Sequence, residues 1–332
     1  SQQWHLTVER EVAVDYLVSA ACVGTTGTKL TRLTTPNVGP NVTIAVPVAL
    51  GQGAPGAIFP LPSPTVISDS VSLLQRTRAI PQLGAYQIFE NSASSNYNAL
   101  QVEARKRLSH GYSFTVAYTY SHAIDDTSDV FPLAGASVLA QDQNNLRLDR
   151  GNAGFDLRHR FVTSFVWDLP LYRGEQSGLA RVFGGWQLGT VFQAMSGQPF
   201  TLNVPVDVNR DGNLTDRPST EQGLIFHSGH GPQLISIEPG LTVGNFFTFG
   251  QDGFVGRNTL RGSNFINWDL SLNKTFRFSE SQRLEFRADF FNFANRANFG
   301  LPIRTIGSPG FGSAIDTVNP ARIIQFGLKY QF

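Results

Sequence analysis

The residues best suited to chemistry lie between positions 207 and 216. Asp207-Val208-Asn209-Arg210-Asp211-Gly212-Asn213 sets side-chain oxygens at the first, third and fifth places of a loop and a glycine at the sixth. That spacing opens a calcium loop, where hard oxygen donors alternate along the chain and glycine permits the sharp turn. Asp216 falls at the tenth place, but the twelfth is Pro218 rather than a bidentate glutamate, and no helical pattern flanks the run. An EF-hand is therefore excluded. Asp207, Asn209, Asp211, Asn213 and Asp216 remain a candidate Ca2+ site of looser design, weighed against the plainer reading of an Asx-rich turn, which is preferred.

The six histidines (His5, His110, His122, His159, His227 and His230) offer less. His227 and His230 could present two imidazoles to a metal, but they sit in glycine-rich sequence whose nearest carboxylate is Glu238, so a solvated loop is preferred. His122 precedes Asp125 and Asp126, a trio with acid–base potential. No serine occupies a nucleophile elbow, however, and the spacing fits a strand running into a loop. A single cysteine, Cys22, excludes an intramolecular disulfide and cysteine-rich zinc sites. No glycine motif cradles phosphate, and no aromatic–basic interleaving suits nucleic acid. The chain is read as not an enzyme.

Whatever those residues do, extended segments must position them. The 332 residues carry 26 Lys+Arg against 25 Asp+Glu, a net charge of +1, with no electrostatic footprint for nucleic acid. Hydrophobic residues at 41% and a mean hydropathy of −0.12 fit neither a disordered chain nor an α-helical membrane protein. The longest uncharged run, residues 33–68, holds seven prolines and four glycines and so is no membrane helix.

The dominant pattern has period two, the repeat of a strand with one apolar face. Leu100, Val102 and Ala104 alternate with Gln101, Glu103 and Arg105; Phe114, Val116, Tyr118 and Tyr120 alternate with Thr115, Ala117 and Thr119. Nine such strands are expected, near residues 3–10, 12–23, 96–107, 111–122, 157–169, 183–195, 267–278, 282–294 and 322–332. Their length of about ten residues crosses a bilayer when tilted. Charges on the polar faces and Tyr, Trp and Phe near the strand ends favour a water-filled lumen inside and lipid outside. Short links at Arg10–Glu11, Leu108–Gly111, Pro170–Val182 and Ser279–Ser281 alternate with long ones at Gly24–Ser95, Ala123–Asp156, Ser196–Asn267 and Asn295–Ala321. Periplasmic turns and extracellular loops alternate in this way. The strand-like segment Gly84–Asn91 breaks the parity and is placed inside the first long loop, and residues 33–68 are expected to cover the barrel mouth or form a partner surface.

The fold class is therefore all-β: an antiparallel transmembrane β-barrel with long extracellular loops and short periplasmic turns, residues 1–332 forming one partial barrel domain of about nine to twelve strands. If Phe332 lies at the periplasmic rim, the last strand descends, and so does the first. An odd, open set exposes unsatisfied edges to lipid. At least one upstream strand outside this chain is thus expected, and Ser1 either follows a removed signal or lies inside a longer protein.

Several short stretches carry a family resemblance. They are Ser95-Asn96-Tyr97-Asn98-Ala99-Leu100-Gln101, Ala117-Tyr118-Thr119-Tyr120-Ser121, Phe155-Asp156-Leu157-Arg158-His159-Arg160-Phe161, Gly185-Trp186-Gln187 and Ser196-Gly197-Gln198-Pro199-Phe200. Toward the C-terminus come Gly256-Arg257-Asn258, Asn267-Trp268-Asp269-Leu270-Ser271 and Phe291-Asn292-Phe293-Ala294-Asn295. In this order they resemble the C-terminal barrel portion of TonB-dependent outer-membrane receptors of Gram-negative bacteria, in the Oar-like group with a carboxypeptidase-regulatory-like domain. The resemblance implies a barrel of about 22 strands closed by an N-terminal plug, with a TonB box coupling uptake of a large nutrient, a peptide or a glycan, to the TonB complex. Plug, TonB box and regulatory domain are absent from these residues, so that partner would engage through a missing N-terminal region. The last strand, with Phe326, Leu328, Tyr330 and Phe332, resembles the signal that outer-membrane proteins offer to the barrel-assembly machinery.

Arg158 and Arg160 open a descending strand on one face, with His159 and Phe161 on the other. They are candidate substrate contacts in the lumen or at its rim, weighed against pairing with Asp156 or Glu103, which is preferred. The expected partners are outer-membrane lipid, the assembly machinery and the TonB complex. A loop-displaying adhesive or structural barrel without transport, or a passive porin, is the alternative.

Overall fold

The computed structural model describes residues 1–39, 41–47, 70–76, 78–80, 82–83, 86–129, 138–172, 178–228 and 231–332. Nine long strands form one antiparallel sheet in which each pairs with its neighbours in the chain. They are β1 (Gln2–Ala13), β2 (Tyr16–Thr34), β3 (Ile88–Ser109), β4 (Tyr112–Asp125), β5 (His159–Asp168), β6 (Trp186–Met195), β7 (Phe265–Arg277), β8 (Arg283–Phe291) and β9 (Ile323–Gln331). A two-residue strand, Gly151–Asn152, adds to the end of β4. The sheet is open: among the described residues β1 pairs only with β2, and β9 only with β8. One short α-helix, Gly178–Phe183, lies between β5 and β6, and no helix among the described residues is long and apolar enough to cross a membrane.

Turn chemistry sets the register at the short links. Ser109 pairs with Tyr112, leaving His110 (φ 54°) and Gly111 (φ 82°) as a two-residue turn with both central residues left-handed. That turn type matches the natural twist of the flanking strands. The first link lies at Val14–Asp15 rather than at Arg10–Glu11: Arg10 pairs with Val18, Glu11 with Leu17, and Asp15 takes a φ of 72°. Aspartate tolerates that conformation, whereas the β-branched Val12 favours the extended backbone of β1. The strand expected from residue 183 begins at Trp186, because Phe183 ends the helix and Gly185 turns at φ 67°.

The first long link is shorter than expected. β2 and β3 run 19 and 22 residues and stay paired from Tyr16–Lys106 up to Thr34–Ile88. Residues 88–91 therefore belong to β3 rather than to a loop, and the pairing bends at a bulge near Lys29 and Leu30. Beyond it, Asn41–Pro47 pairs with Ser70–Arg76. The expected cover over the mouth falls largely on residues 48–69, outside the described residues.

Register sorts side chains onto two faces. Val18, Ala104, Val116, Thr163, Phe192 and Trp268 stand in one cross-strand row, and Ala20, Val102, Tyr118, Phe161, Ala194 and Ile266 in the next. The opposite face carries Glu103, Arg105, Arg160, Gln193, Asn267, Asp269 and Asp289. Large apolar side chains of the first face are bare, as at Leu6 (66%), Phe326 (68%) and Leu328 (70%). A continuous band of this kind calls for lipid rather than water. Two lysines interrupt the band near the short links. Lys106 turns its Nζ back onto Ser109 Oγ (2.7 Å), Ser109 O (2.9 Å) and Tyr112 O (3.1 Å), and Lys274 donates to Gly184 O. Both bury their stems and satisfy the charge at the turn.

The hydrophobic core sits away from the strands. Phe200, Leu202, Val204, Val208, Leu224, Ile235, Phe246, Ile306 and Phe311 form one buried cluster, drawn entirely from the two long links after β6 and β8. Within it Pro199–Phe200 pairs with Leu260–Arg261, and Leu224–Phe226 with Ile235–Ile237. Gly312, at φ 74°, lets Ile235 O approach so closely that a side chain has no room. The long links thus build a packed layer on one end of the sheet.

Candidate functional site

The residues that could meet a ligand lie where this layer joins the strand ends. Asp125, closing β4, binds the Arg257 guanidinium; Asp156, whose side chain is fully buried, binds Arg261. Asp126 takes Arg150 at 3.2 Å and also accepts from Ser94 N (2.9 Å) and Ser94 Oγ (2.6 Å). Each pair joins a strand end to a residue distant in sequence, so the layer is fastened to the rim by charge-assisted bonds.

Gln141 is the centre of the layer. It is 1% exposed, and every hydrogen-bonding group it has is in use. Its amide N–H donates to Asp149 Oδ2 (3.2 Å) and its Nε2 to Gly253 O (3.1 Å). Its Oε1 accepts from Arg217 N (2.9 Å), and its carbonyl from Asn209 Nδ2 (2.6 Å). Beside it Arg217 meets Asp149 at 2.5 Å. Burial pushes the Asp149 carboxyl above its ordinary value, and the Arg217 charge only partly offsets this. A cavity of about 110 Å³ opens here, lined among others by Arg217, Arg257, Arg304, Gln198 and Asn203. Burial lowers the pKa of the Arg304 guanidinium, which has no ion-pair partner among the described residues. Arg217 and Arg257 already answer Asp149 and Asp125, and Asp129 and Asp149 also line the cavity, so of its three guanidiniums it is that of Arg304 that an anionic group entering here would meet.

The residues singled out by sequence fall in different places. Arg158 pairs with Asp156 at 3.5 Å and reaches Asn152 Oδ1 at 3.4 Å. Arg160 is exposed on the polar face, in register with Thr119 and Met195. Glu103, offered as a partner for these arginines, instead binds Arg105 at 2.6 Å. His122 bonds Asn152 Oδ1 at 3.0 Å, apart from Asp125 and Asp126, which hold arginines. His227 bonds Ser236 Oγ at 2.8 Å, and His230 lies outside the described residues. On the last strand Phe326, Leu328, Tyr330 and Phe332 are all exposed along one edge.

The loop at 207–216 is folded into the layer. Asp207 accepts the amides of Asp211 (3.1 Å) and Gly212 (2.8 Å), Asn209 Oδ1 that of Asp211 (3.0 Å), and Asp211 Oδ1 that of Asn213 (2.8 Å). Asn213 Nδ2 donates to Thr35 Oγ1 at 2.9 Å. Asp216, 1% exposed, accepts Val208 N at 2.7 Å, and burial followed by repulsion from Asp207 and Asp211 pushes its carboxyl up to about 7. Among the described residues no three His, Cys, Asp or Glu side chains are drawn as close as a bound metal would hold them.

Sequence reasoning missed Gln141, Asp149, Arg217 and Arg304. Arg257 was visible only within Gly256-Arg257-Asn258. Nothing local marks the others: Arg217, for one, meets Asp149 and Gln141 from a different link.

A model of the family described as outer membrane beta barrel domain matches residues 1–325. No curated protein matches the chain. Among solved structures, the outer membrane transporter YddB from Escherichia coli matches at 7% identity and a TM-score of 0.46, over 99% of this chain and 32% of that one. The chain thus spans about a third of that structure's length.

Proposed function

The chain belongs to the outer membrane beta-barrel domain family and has its place in the cell outer membrane, and on that premise we propose that it is the C-terminal barrel portion of a TonB-dependent, Oar-like receptor for a large nutrient, a peptide or a glycan. The observation that carries this reading is the packed loop layer, with its own apolar core and an arginine-lined cavity, set over a sheet whose second face is polar. An outer surface this well ordered can select a ligand, because its polar groups are fixed before binding. In the proposed mechanism the loops bind the nutrient, and the charged face, including Arg160, lines its route. A plug and a TonB box on the longer protein gate that route and couple it to energy.

The test is uptake of labelled peptides and glycans by cells lacking the gene, cells lacking TonB, and the parent strain. Uptake lost equally in both deletions supports the proposal. Uptake that persists without TonB, accompanied by ion conductance of the purified full-length protein in planar bilayers, replaces it with a passive porin. Neither uptake nor conductance leaves a loop-displaying surface barrel.

A further inference from the structure

We propose that the cavity around Arg304 is a subsite for the C-terminal residue of a peptide, whose free carboxylate the Arg304 guanidinium holds. The inference rests on the receptor reading above and narrows its nutrient to peptides with an unblocked carboxyl end.

The observation that points to an anion is Arg304. It lines the cavity, and among the described residues its guanidinium makes no ion pair and no hydrogen bond. The two acids on the same lining leave it unanswered: Asp149 is taken by Arg217, and Asp129 forms no ion pair with Arg304. The backbone that carries it is fixed on both sides, since Ile303 N donates to Ser313 O at 3.0 Å and Ile306 N to Asn203 O at 2.8 Å. A half-buried guanidinium with five donors and no acceptor carries a desolvation cost, which a charged acceptor entering the cavity relieves. Holding the group in place beforehand lowers the entropy that binding must spend.

The lining selects a carboxylate. Asp129 and Asp149 repel a phosphate dianion more than a single negative charge, and the planar guanidinium fork matches a carboxylate with two parallel hydrogen bonds. It also selects a peptide over a glycan. Sugar hydroxyls need several free donors and acceptors, and those of this cavity are largely spent. Thr201 Oγ1 donates to Asn258 Oδ1 at 2.9 Å, Asn203 Nδ2 to Thr215 O at 3.1 Å, and Thr215 Oγ1 to Ala140 O at 2.9 Å. Gln198 differs: it is exposed, its Nε2 donates to Gly154 O at 2.7 Å, and its Oε1 bonds nothing among the described residues. That oxygen is an acceptor for a peptide N–H. Val138, Leu139, Pro199 and Leu301 supply an apolar wall for a side chain. At about 110 Å³ the cavity has room for a chain end and not for a chain passing through.

The experiment uses the full-length protein, purified from outer membranes in detergent and immobilised, with mixed tetrapeptides lacking Asp and Glu, made as free acids or as C-terminal amides. The wild type is expected to retain the acids about tenfold better than the amides, the worth of a charge-assisted bond out of water. Arg304→Gln should lose that preference, and Glu221→Gln should keep it. Equal retention of acids and amides, retention of neither, or a preference that survives Arg304→Gln overturns the proposal. So does retention, through Arg304, of amidated peptides with an internal Asp or of oligogalacturonate as well as of the free acids. If Arg304→Gln fails the heat-modifiability test of a folded barrel, phenylglyoxal labelling of Arg304 in the wild type decides. Labelling slowed by the acids and not by the amides supports the site; labelling indifferent to both overturns it. The readout is binding, so a protein that shows the preference but fails the uptake test keeps the subsite and loses the transport reading. Peptide uptake without the preference removes the subsite alone.

Discussion

Asp149 and Arg217, 68 positions apart, form an enclosed ion pair in which Nη1 and Oδ1 are 2.5 Å apart and each side chain is 4% exposed. The pair fastens the link after β4 to the link after β6, and Gln141 bonds to both partners. Removing one member of such a pair strands the other charge out of water, which costs about 3–5 kcal/mol.

Arg217→Ala is therefore expected to loosen the loop layer while leaving the strands paired. Limited proteolysis should show faster cleavage in residues 196–264 with unchanged heat-modifiable migration. The loss should also depend on pH. Burial already raises the folded-state pKa of Asp149, and loss of Arg217 raises it further. A carboxyl raised on folding favours the folded layer while protonated, and that contribution is lost as pH rises from the ordinary carboxylate range through the raised value. Protection of the variant should be better at mildly acidic than at alkaline pH; equal protection at both would sink the assignment.

Phe246 is fully buried at the centre of the loop cluster. Phe246→Ala should cost that layer about 3–5 kcal/mol through the lost contacts and the remaining cavity. Hydrogen exchange should rise in the two long links that form the cluster and stay unchanged in β3 and β4.

Val116 and Ala117 are neighbours on opposite faces. Val116 stands in the apolar row with Ala104 and Thr163, and Ala117 lies opposite Glu103. Val116→Arg should lower stability in lipid vesicles by about 2–4 kcal/mol, the cost of a charge at mid-bilayer, whereas Ala117→Arg should be tolerated. Urea titrations of the two variants that coincide would reverse or erase the face assignment.

The last residue, Phe332, is 93% exposed and rests on Tyr330 with ring centroids 6.1 Å apart. It buries too little to stabilise the sheet, so its expected role is in assembly. Deleting Phe332 should reduce the amount of protein in the outer-membrane fraction severalfold without changing the unfolding midpoint of what is inserted. A lowered midpoint with normal insertion would make it an ordinary packing residue.

The lipid face, the polar face and the strand order were legible in the residues themselves. Alternation is local: Leu100, Val102 and Ala104 declare their face at intervals of two, and consecutive antiparallel strands joined by turns such as His110-Gly111 leave few topologies open. Boundaries were less legible where a second signal competed. Asp15 rather than Arg10 turns the first hairpin, and β2 and β3 stay paired as far as Thr34–Ile88, through residues rich in Thr, Ser and Asn where the apolar alternation of the lower strands has faded.

The tertiary structure alone decided what the long links do. Period two carries no information about which loop residue meets which, so Asp149 could not be matched to Arg217, or Asn213 to Thr35 across 178 positions. The sequence marked Asp207, Asn209, Asp211 and Asp216 by spacing; only packing buried Asp216 and set it on Val208 N. Strand patterns are written by a repeating contact with lipid or water, whereas a loop core such as Phe200, Phe246 and Ile306 comes from contacts made once, between segments that chain connectivity does not relate.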